Sequence, residues 1–414
     1  MKTHTQKASS YNIGIIKWLT FLMFMMFAMT TDAVGVIIPE VMKKFSLSMT
    51  AAGMMHYAPM VAIALAGILL GFLADRFGRK QTIILGLGLF AANAFLFLLG
   101  NSFSFYLSLM LISGISIGVF KSGALALIGD ISKSTREHTS TMNAVEGFFG
   151  VGAIIGPFVV TYLLKSGVDW KWLYVIAGIL CIVLIILALM VKYPETKKST
   201  EEKINLSATL KMLKDPFALG FSVAAFLYVS VECAVYVWMP TLIKGYAGNA
   251  VLFAAYALPV FFILRAGGRF MGVWLLARFE WSVIMSIFSV LIFICFLGSV
   301  IGGVEFAVIL LPLSGLFMSV VYPTINSKGI SCFPKSKHGS VAGIILFFTA
   351  AGAALGPLSM GIVSDTFGHN AKTGFVLATG FAALLAIGFI LNWVLKPTKS
   401  RLSKIDSLEY KSES

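Results

Sequence analysis

Long apolar runs follow one another along almost the whole chain, separated only by short polar or turn-forming segments. A helix rising 1.5 Å per residue needs about 20 residues to cross a hydrocarbon core of about 30 Å. On that measure the pattern predicts twelve spans, over residues 15–39, 51–73, 81–100, 104–130, 139–164, 170–192, 215–243, 250–277, 281–302, 305–330, 338–364 and 371–396. None shows the polar alternation that a transmembrane strand presents to a barrel lumen, so the fold class expected is an all-α membrane protein. The first run is too long for a leader and is followed directly by another span, so it reads as retained.

The longest polar internal segment, KYPETKKSTEEKINLSATLKMLKD at 192–215, falls between spans six and seven. It divides the chain into an N-terminal six-helix half (1–191), a cytoplasmic linker (192–214), a C-terminal six-helix half (215–396) and a cytoplasmic tail (397–414). The halves echo one another. AIIGP at 153–157 returns as AALGP at 353–357, ADRF at 74–77 is shadowed by LARF at 276–279, and Asp32 has a counterpart in Glu232. Matches at nearly one offset in corresponding spans indicate a parallel repeat, a layout that suits alternate opening of a central site to either side.

Composition agrees, with 58% hydrophobic and only 12% charged residues and a mean hydropathy of +0.91. A net charge of +14 would suit a nucleic acid, but its distribution does not. With the amino terminus inside, most Lys and Arg fall in cytoplasmic segments, which reports orientation and contact with anionic lipid. The expectation is a multi-pass protein of the cell inner membrane, both termini cytoplasmic, working as a monomer and binding no nucleic acid. Cys181, Cys233, Cys295 and Cys332 all lie in or at the ends of apolar spans and read as small hydrophobes. No HExxH, nucleophile elbow, Walker loop or zinc-spaced cysteine cluster is present, so neither an enzyme nor a cofactor is expected. His56, in MMHYAP, reads as a packing or cavity-lining residue.

After the second span comes GFLADRFGRK, residues 71–80, in which Asp75, Arg76, Arg79 and Lys80 crowd a short turn. Orientation alone would need only the positive charges. The carboxylate after GFLA resembles the cytoplasmic loop signature of the major facilitator superfamily, and twelve spans, a central loop and a half repeat extend the resemblance over the whole chain. It implies the major facilitator fold, and a gating role for Asp75, Arg76 and Arg79, the carboxylate capping a helix of the opposite half. YVSVECAVYVW (228–238) and GRFMGVWLLARF (268–279) resemble the corresponding stretches of the fucose:proton symporter family. The chain departs from that family in span four, where Lys121 stands in place of a carboxylate. GVGAIIGP, residues 150–157, resembles a glycine-proline signature of proton-driven drug exporters, without their following glycine pair.

Six ionisable residues lie inside spans: Asp32, Lys121, Glu146, Glu232, Arg265 and Arg269. Each costs about 2.5–3.5 kcal/mol at the centre of a lone inserted helix, so they are expected to face a cavity or one another. The resemblance places spans one, four, seven and ten around the cavity. Tyr228, Glu232 and Tyr236 repeat every fourth residue along one predicted face, and so do Tyr322 and Asn326. With Lys121 and Trp238 they form the expected solute-binding set, suited to the hydroxyls of a sugar or similar small polar solute.

Counting along the spans puts Lys121 roughly 10 Å nearer the cytoplasm than Asp32 and Glu232. Glu146 is then expected to pair with Arg265 or Arg269 in a cytoplasmic gate. Asp32 and Glu232, without a cation at their depth, are expected to take up a proton, because burial disfavours the charged form. These positions predict a secondary transporter driven by a proton (or sodium) gradient, importing a polar solute. The competing expectations are an exporter of drugs or metabolites, an organic-anion carrier built on Lys121 and Arg265, and a membrane sensor.

Overall fold

The computed structural model describes residues 11–70, 73–132, 135–194, 212–334 and 338–409. Within them every regular element is helical. Eleven helices are long and apolar enough to cross a membrane, among the described residues. The twelfth expected span is present as Arg79–Leu96, eighteen residues that begin Arg-Lys-Gln and carry Asn93, which lowers its apolar content. The linker expected at 192–214 lies mostly outside the described residues, while part of the expected tail forms a helix, Pro397–Glu409.

Several spans are interrupted, each for a local reason. The first divides into Ile13–Thr31 and Val34–Phe45, with Asp32 and Ala33 in a turn between them. Thr30 and Thr31 each donate a hydroxyl hydrogen to the Phe27 carbonyl, at 2.9 and 3.2 Å, competing with the helical ladder just before the break. The second span opens with a short turn, Met49–Ala52, capped by the Ser48 hydroxyl, which accepts from the Ala51 amide at 3.2 Å. The seventh runs as Pro216–Cys233, then a π-helical turn over Ala234–Trp238, then Met239–Leu242. Pro240 cannot donate to the Tyr236 carbonyl four residues back, a standard source of irregularity in a membrane helix. The tenth is broken between Val304–Met318 and Val321–Ser331.

Contacts group the chain into two compact units. One comprises Met1–Thr31, Ala62–Gly156 and Val168–Glu201, the other Asp32–Val61, Pro157–Gly167 and Glu202–Ser414. In the first, Phe27 packs edge-on against Phe90 at 5.0 Å and lies 4.7 Å from Phe120, while Phe97 stacks on Tyr174 at 3.9 Å. Buried Asn93 donates to the Leu109 carbonyl and the Ser113 hydroxyl, tying the third span to the fourth. In the second, Ser286 donates to the Phe389 carbonyl at 2.9 Å, joining spans nine and twelve.

The repeat is visible in how glycines pack. A Cβ on Gly152 or Gly156 would collide with the Met25 and Met29 carbonyls of the first span. Two hundred residues on, a Cβ on Gly352 would lie 2.6 Å from the Phe226 carbonyl, and one on Gly356 would lie 2.6 Å from Ser230 Cβ, both on the seventh span. Spans five and eleven thus close on spans one and seven through the same two glycines. The partners on the shorter-numbered side step by 201, so the residue matching Asp32 in this packing is Cys233, next to Glu232.

Candidate functional site

The buried charges of the second unit form one cluster. Glu232 ends an unbroken stretch of the seventh span, 7% exposed, and its Oε1 lies 2.5 Å from Nη2 of Arg265 on the eighth. Tyr228, one turn earlier and fully buried, brings its hydroxyl within 2.9 Å of both Glu232 Oε1 and the Met318 carbonyl, beside the break in span ten. The ring of Tyr322 stacks on Tyr228 at 6.3 Å. Asp32 acts electrostatically on the same Arg265, and on Cys233 and Tyr236. Arg269, one turn past Arg265, acts on Tyr228.

This geometry corrects two expectations. Glu232 is not without a cation at its depth, because Arg265 is bonded to it; and Arg265 is therefore not the partner of Glu146. The error came from the start of span eight, counted from residue 250. Val251–Ala255 is a separate short helix and the crossing helix begins at Ala257. Arg265 is thus eight residues in, about 12 Å, near mid-membrane rather than at the cytoplasmic end. Glu146 is exposed and makes no ion pair among the described residues.

The expected stripe of Tyr228, Glu232 and Tyr236 holds for its first two members. The π turn shifts the register after Cys233, and the Tyr236 hydroxyl lies 2.8 Å from Cys233 Sγ. Its ring meets Phe262 at 6.2 Å and His56 edge-on at 5.5 Å. Trp238, expected to face a solute, is fully buried; its indole N–H donates to the Pro357 carbonyl at 3.0 Å, which places it in the packing between spans seven and eleven. Asn326 donates to the Tyr322 carbonyl at 3.2 Å, so these two do share a face. His56 is buried, with Nε2 3.3 Å from the Ala353 carbonyl. All four cysteines are buried free thiols.

In the first unit, Lys121 lies over the ring of Phe149 at 5.6 Å. The loop signature is described in part. Arg76 is exposed, with its guanidinium 5.8 Å from the Phe77 ring, while the side chain of Asp75 and all of Gly71 lie outside the described residues. Arg79 is 6% exposed and its Nε donates to Asp130 Oδ2 at 2.9 Å, fixing span three to the end of span four. Sequence reading missed Asp130, although its place in LIGD at the end of an apolar span was a usable signal.

It also missed Asp365. One carboxylate oxygen accepts from the Met49 amide at 2.9 Å and the other from the Thr50 amide at 2.8 Å, capping the start of the second span. Nearby, Lys244 donates to the Pro39 carbonyl at 2.8 Å and pairs with Glu40 at 3.2 Å. The signal in the sequence was a carboxylate at the end of span eleven in VSDTFGH, not counted because it sits at a span boundary.

A bundle of membrane-crossing helices with paired charges buried between them defines a multi-pass membrane transporter. The chain belongs to the Major Facilitator Superfamily, whose family model matches residues 20–357, and is a secondary transporter rather than an enzyme. It is 25% identical over 406 residues to the L-fucose-proton symporter of Escherichia coli K12, covering 87% of this chain and 90% of that one. It is 24% identical over 376 residues to the quinolone resistance protein NorA of Staphylococcus aureus Mu50, covering 84% and 89%. The fold matches the nucleoside transporter NupG with a TM-score of 0.74, at 16% identity over 91% of this chain and 99% of that one. It matches FucP in its outward conformation with a TM-score of 0.61, at 22% identity over 92% and 99%.

Proposed function

We propose that the protein is a proton-coupled symporter that carries a sugar or similar small polar solute across the inner membrane by alternating access. The observation that carries this reading is that one guanidinium, Arg265, serves two carboxylates, Glu232 at 2.5 Å and Asp32 through its field. A cation shared by two acids holds one of them ionised and leaves the other free to exchange a proton. Tyr228 supplies a way to sense the exchange. Its single hydroxyl hydrogen has two acceptors; a proton on Glu232 would let the carboxyl donate to the Tyr228 oxygen and send the tyrosine hydrogen to Met318.

We assign proton coupling to Asp32 and Glu232. Solute contact belongs to Tyr228, Tyr322 and Asn326 in the second unit and Lys121 in the first, with Tyr236 at the edge. Asp75, Arg76 and Arg79 belong to the cytoplasmic loop as gating residues, with both termini on that side and the six-plus-six halves as the moving parts. The similarity to the L-fucose-proton symporter supports a sugar-like solute and a proton. The test is uptake into proteoliposomes with a clamped pH gradient. Solute should accumulate only with the gradient, and an Asp32→Asn variant that still accumulates it would remove Asp32 from the coupling role.

Export is the second reading, favoured by the similarity to NorA. The glycine-proline signature does not add to it, because Gly152 and Gly156 are accounted for by packing on the first span. Solute added to inverted vesicles should raise the lumenal pH for a symporter and lower external acidity demand in the opposite sense for an antiporter, so the direction of proton flow separates the two.

A further inference from the structure

The eighth span carries two arginines on its inner face, and only one of them is matched by an acid. At about 100° per residue, exposed Ile263, Phe270 and Trp274 mark one side of this helix, and Arg265 and Arg269 fall on the opposite side. Gly268, between them, is held against the tenth span, where an added Cβ would lie 2.5 Å from the Leu316 carbonyl. Arg269 is therefore turned away from lipid and cannot reach headgroups by that route. Arg265 is neutralised by Glu232, whereas Arg269 makes no ion pair among the described residues. The Nε groups of both arginines are buried without a hydrogen-bond partner.

Two like charges one turn apart repel, and an unmatched guanidinium inside a span is costly. Guanidinium N–H groups in a dry site are suited to a carboxylate, which they bind in pairs of parallel hydrogen bonds. Resting on the reading that this cluster is the transport site, we propose that the carried solute is acidic: a small polyhydroxy carboxylate whose anion docks on Arg269 beside Arg265. Tyr228 and Tyr322 then face the hydroxyl-bearing part of the molecule. The charge balance also explains a coupled proton. With Asp32 protonated, Glu232, Arg265 and Arg269 sum to one positive charge, which one carboxylate of the solute cancels.

The test uses the purified full chain in detergent and two matched probe pairs, D-galacturonate with D-galactose and D-glucuronate with D-glucose, which differ at C6 alone. Thermal-shift titration should give at least tenfold tighter apparent Kd for an acid than for its neutral partner. Arg269→Gln should remove at least tenfold of that affinity, and Arg269→Lys should restore part of it. Equal binding of acid and neutral sugar, no stabilisation by either acid, or unchanged acid affinity in Arg269→Gln each overturns the inference. Proton-driven accumulation of a neutral hexose would sink it and leave symport standing. Uptake of the acid that ignores the pH gradient would do the reverse.

Discussion

The carboxylate of Asp365, near the end of span eleven, caps the helix that starts at Met49 in span two, one oxygen to each of two successive amides. Some 316 residues of chain separate the two ends of this contact. The first amides of a helix have no partner within it, and a carboxylate there also meets the positive end of the dipole. Asp365→Ala should lower stability by about 1–2 kcal/mol, the cost of a lost cap. Asp365→Asn, which keeps one acceptor oxygen, should lose less. Thermal unfolding of the purified variants reads both, and equal loss in the two would deny the carboxylate its capping role.

Glu232 and Arg265 should behave as a buried pair. Removing one partner strands the other, at a cost of about 3–5 kcal/mol, whereas removing both removes the stranded charge as well. Glu232→Gln and Arg265→Gln should each destabilise the protein more than the double variant does, while all three abolish gradient-driven uptake. A double variant as unstable as the sum of the singles would mean that the two side chains act independently.

The glycines of spans five and eleven should tolerate nothing larger. Gly156→Ala pushes a methyl into the Met29 carbonyl, and overpacking of this kind costs about 1–3 kcal/mol. Gly150, two turns earlier in the same helix, has open space around it, and Gly150→Ala should leave yield and thermal stability unchanged. Gly356→Ala should resemble Gly156→Ala, since the two occupy the same place in the repeat. Expression level and monodispersity in detergent give the comparison.

Trp238→Phe separates packing from solute contact. The substitution keeps a ring and deletes the N–H that reaches Pro357, leaving one buried carbonyl unpaired at a cost of about 1–3 kcal/mol. Stability should fall by that order with the KM for solute unchanged. A raised KM at unchanged stability would return Trp238 to the binding site.

The long-period features of the fold were legible from sequence, because span length and apolar content are set by the bilayer. The repeat of AIIGP and AALGP marked a real packing device, down to the pairs Gly152 with Gly356's neighbour Gly352 and Gly156 with Gly356. What failed was depth. A run of apolar residues does not reveal where a turn interrupts it, and the short helix at Val251–Ala255 moved Arg265 by seven residues relative to its span. The π turn at Ala234–Trp238 likewise carried Tyr236 off the face of Tyr228 and Glu232. Asp130 and Asp365 were passed over because a charge at a span boundary looks like ordinary solvent contact until its partner, far along the chain, is in place.

The break at Asp32 and Ala33 leaves the first span as two rods joined end to end. A continuous helix resists bending because each peptide group is tied to the next turn, and kinks gather where those ties are interrupted. The residue to which we assign the proton is thus also the joint of the rod. Charge and angle are stored at a single position, so an electrical event there needs no intermediary to become a mechanical one.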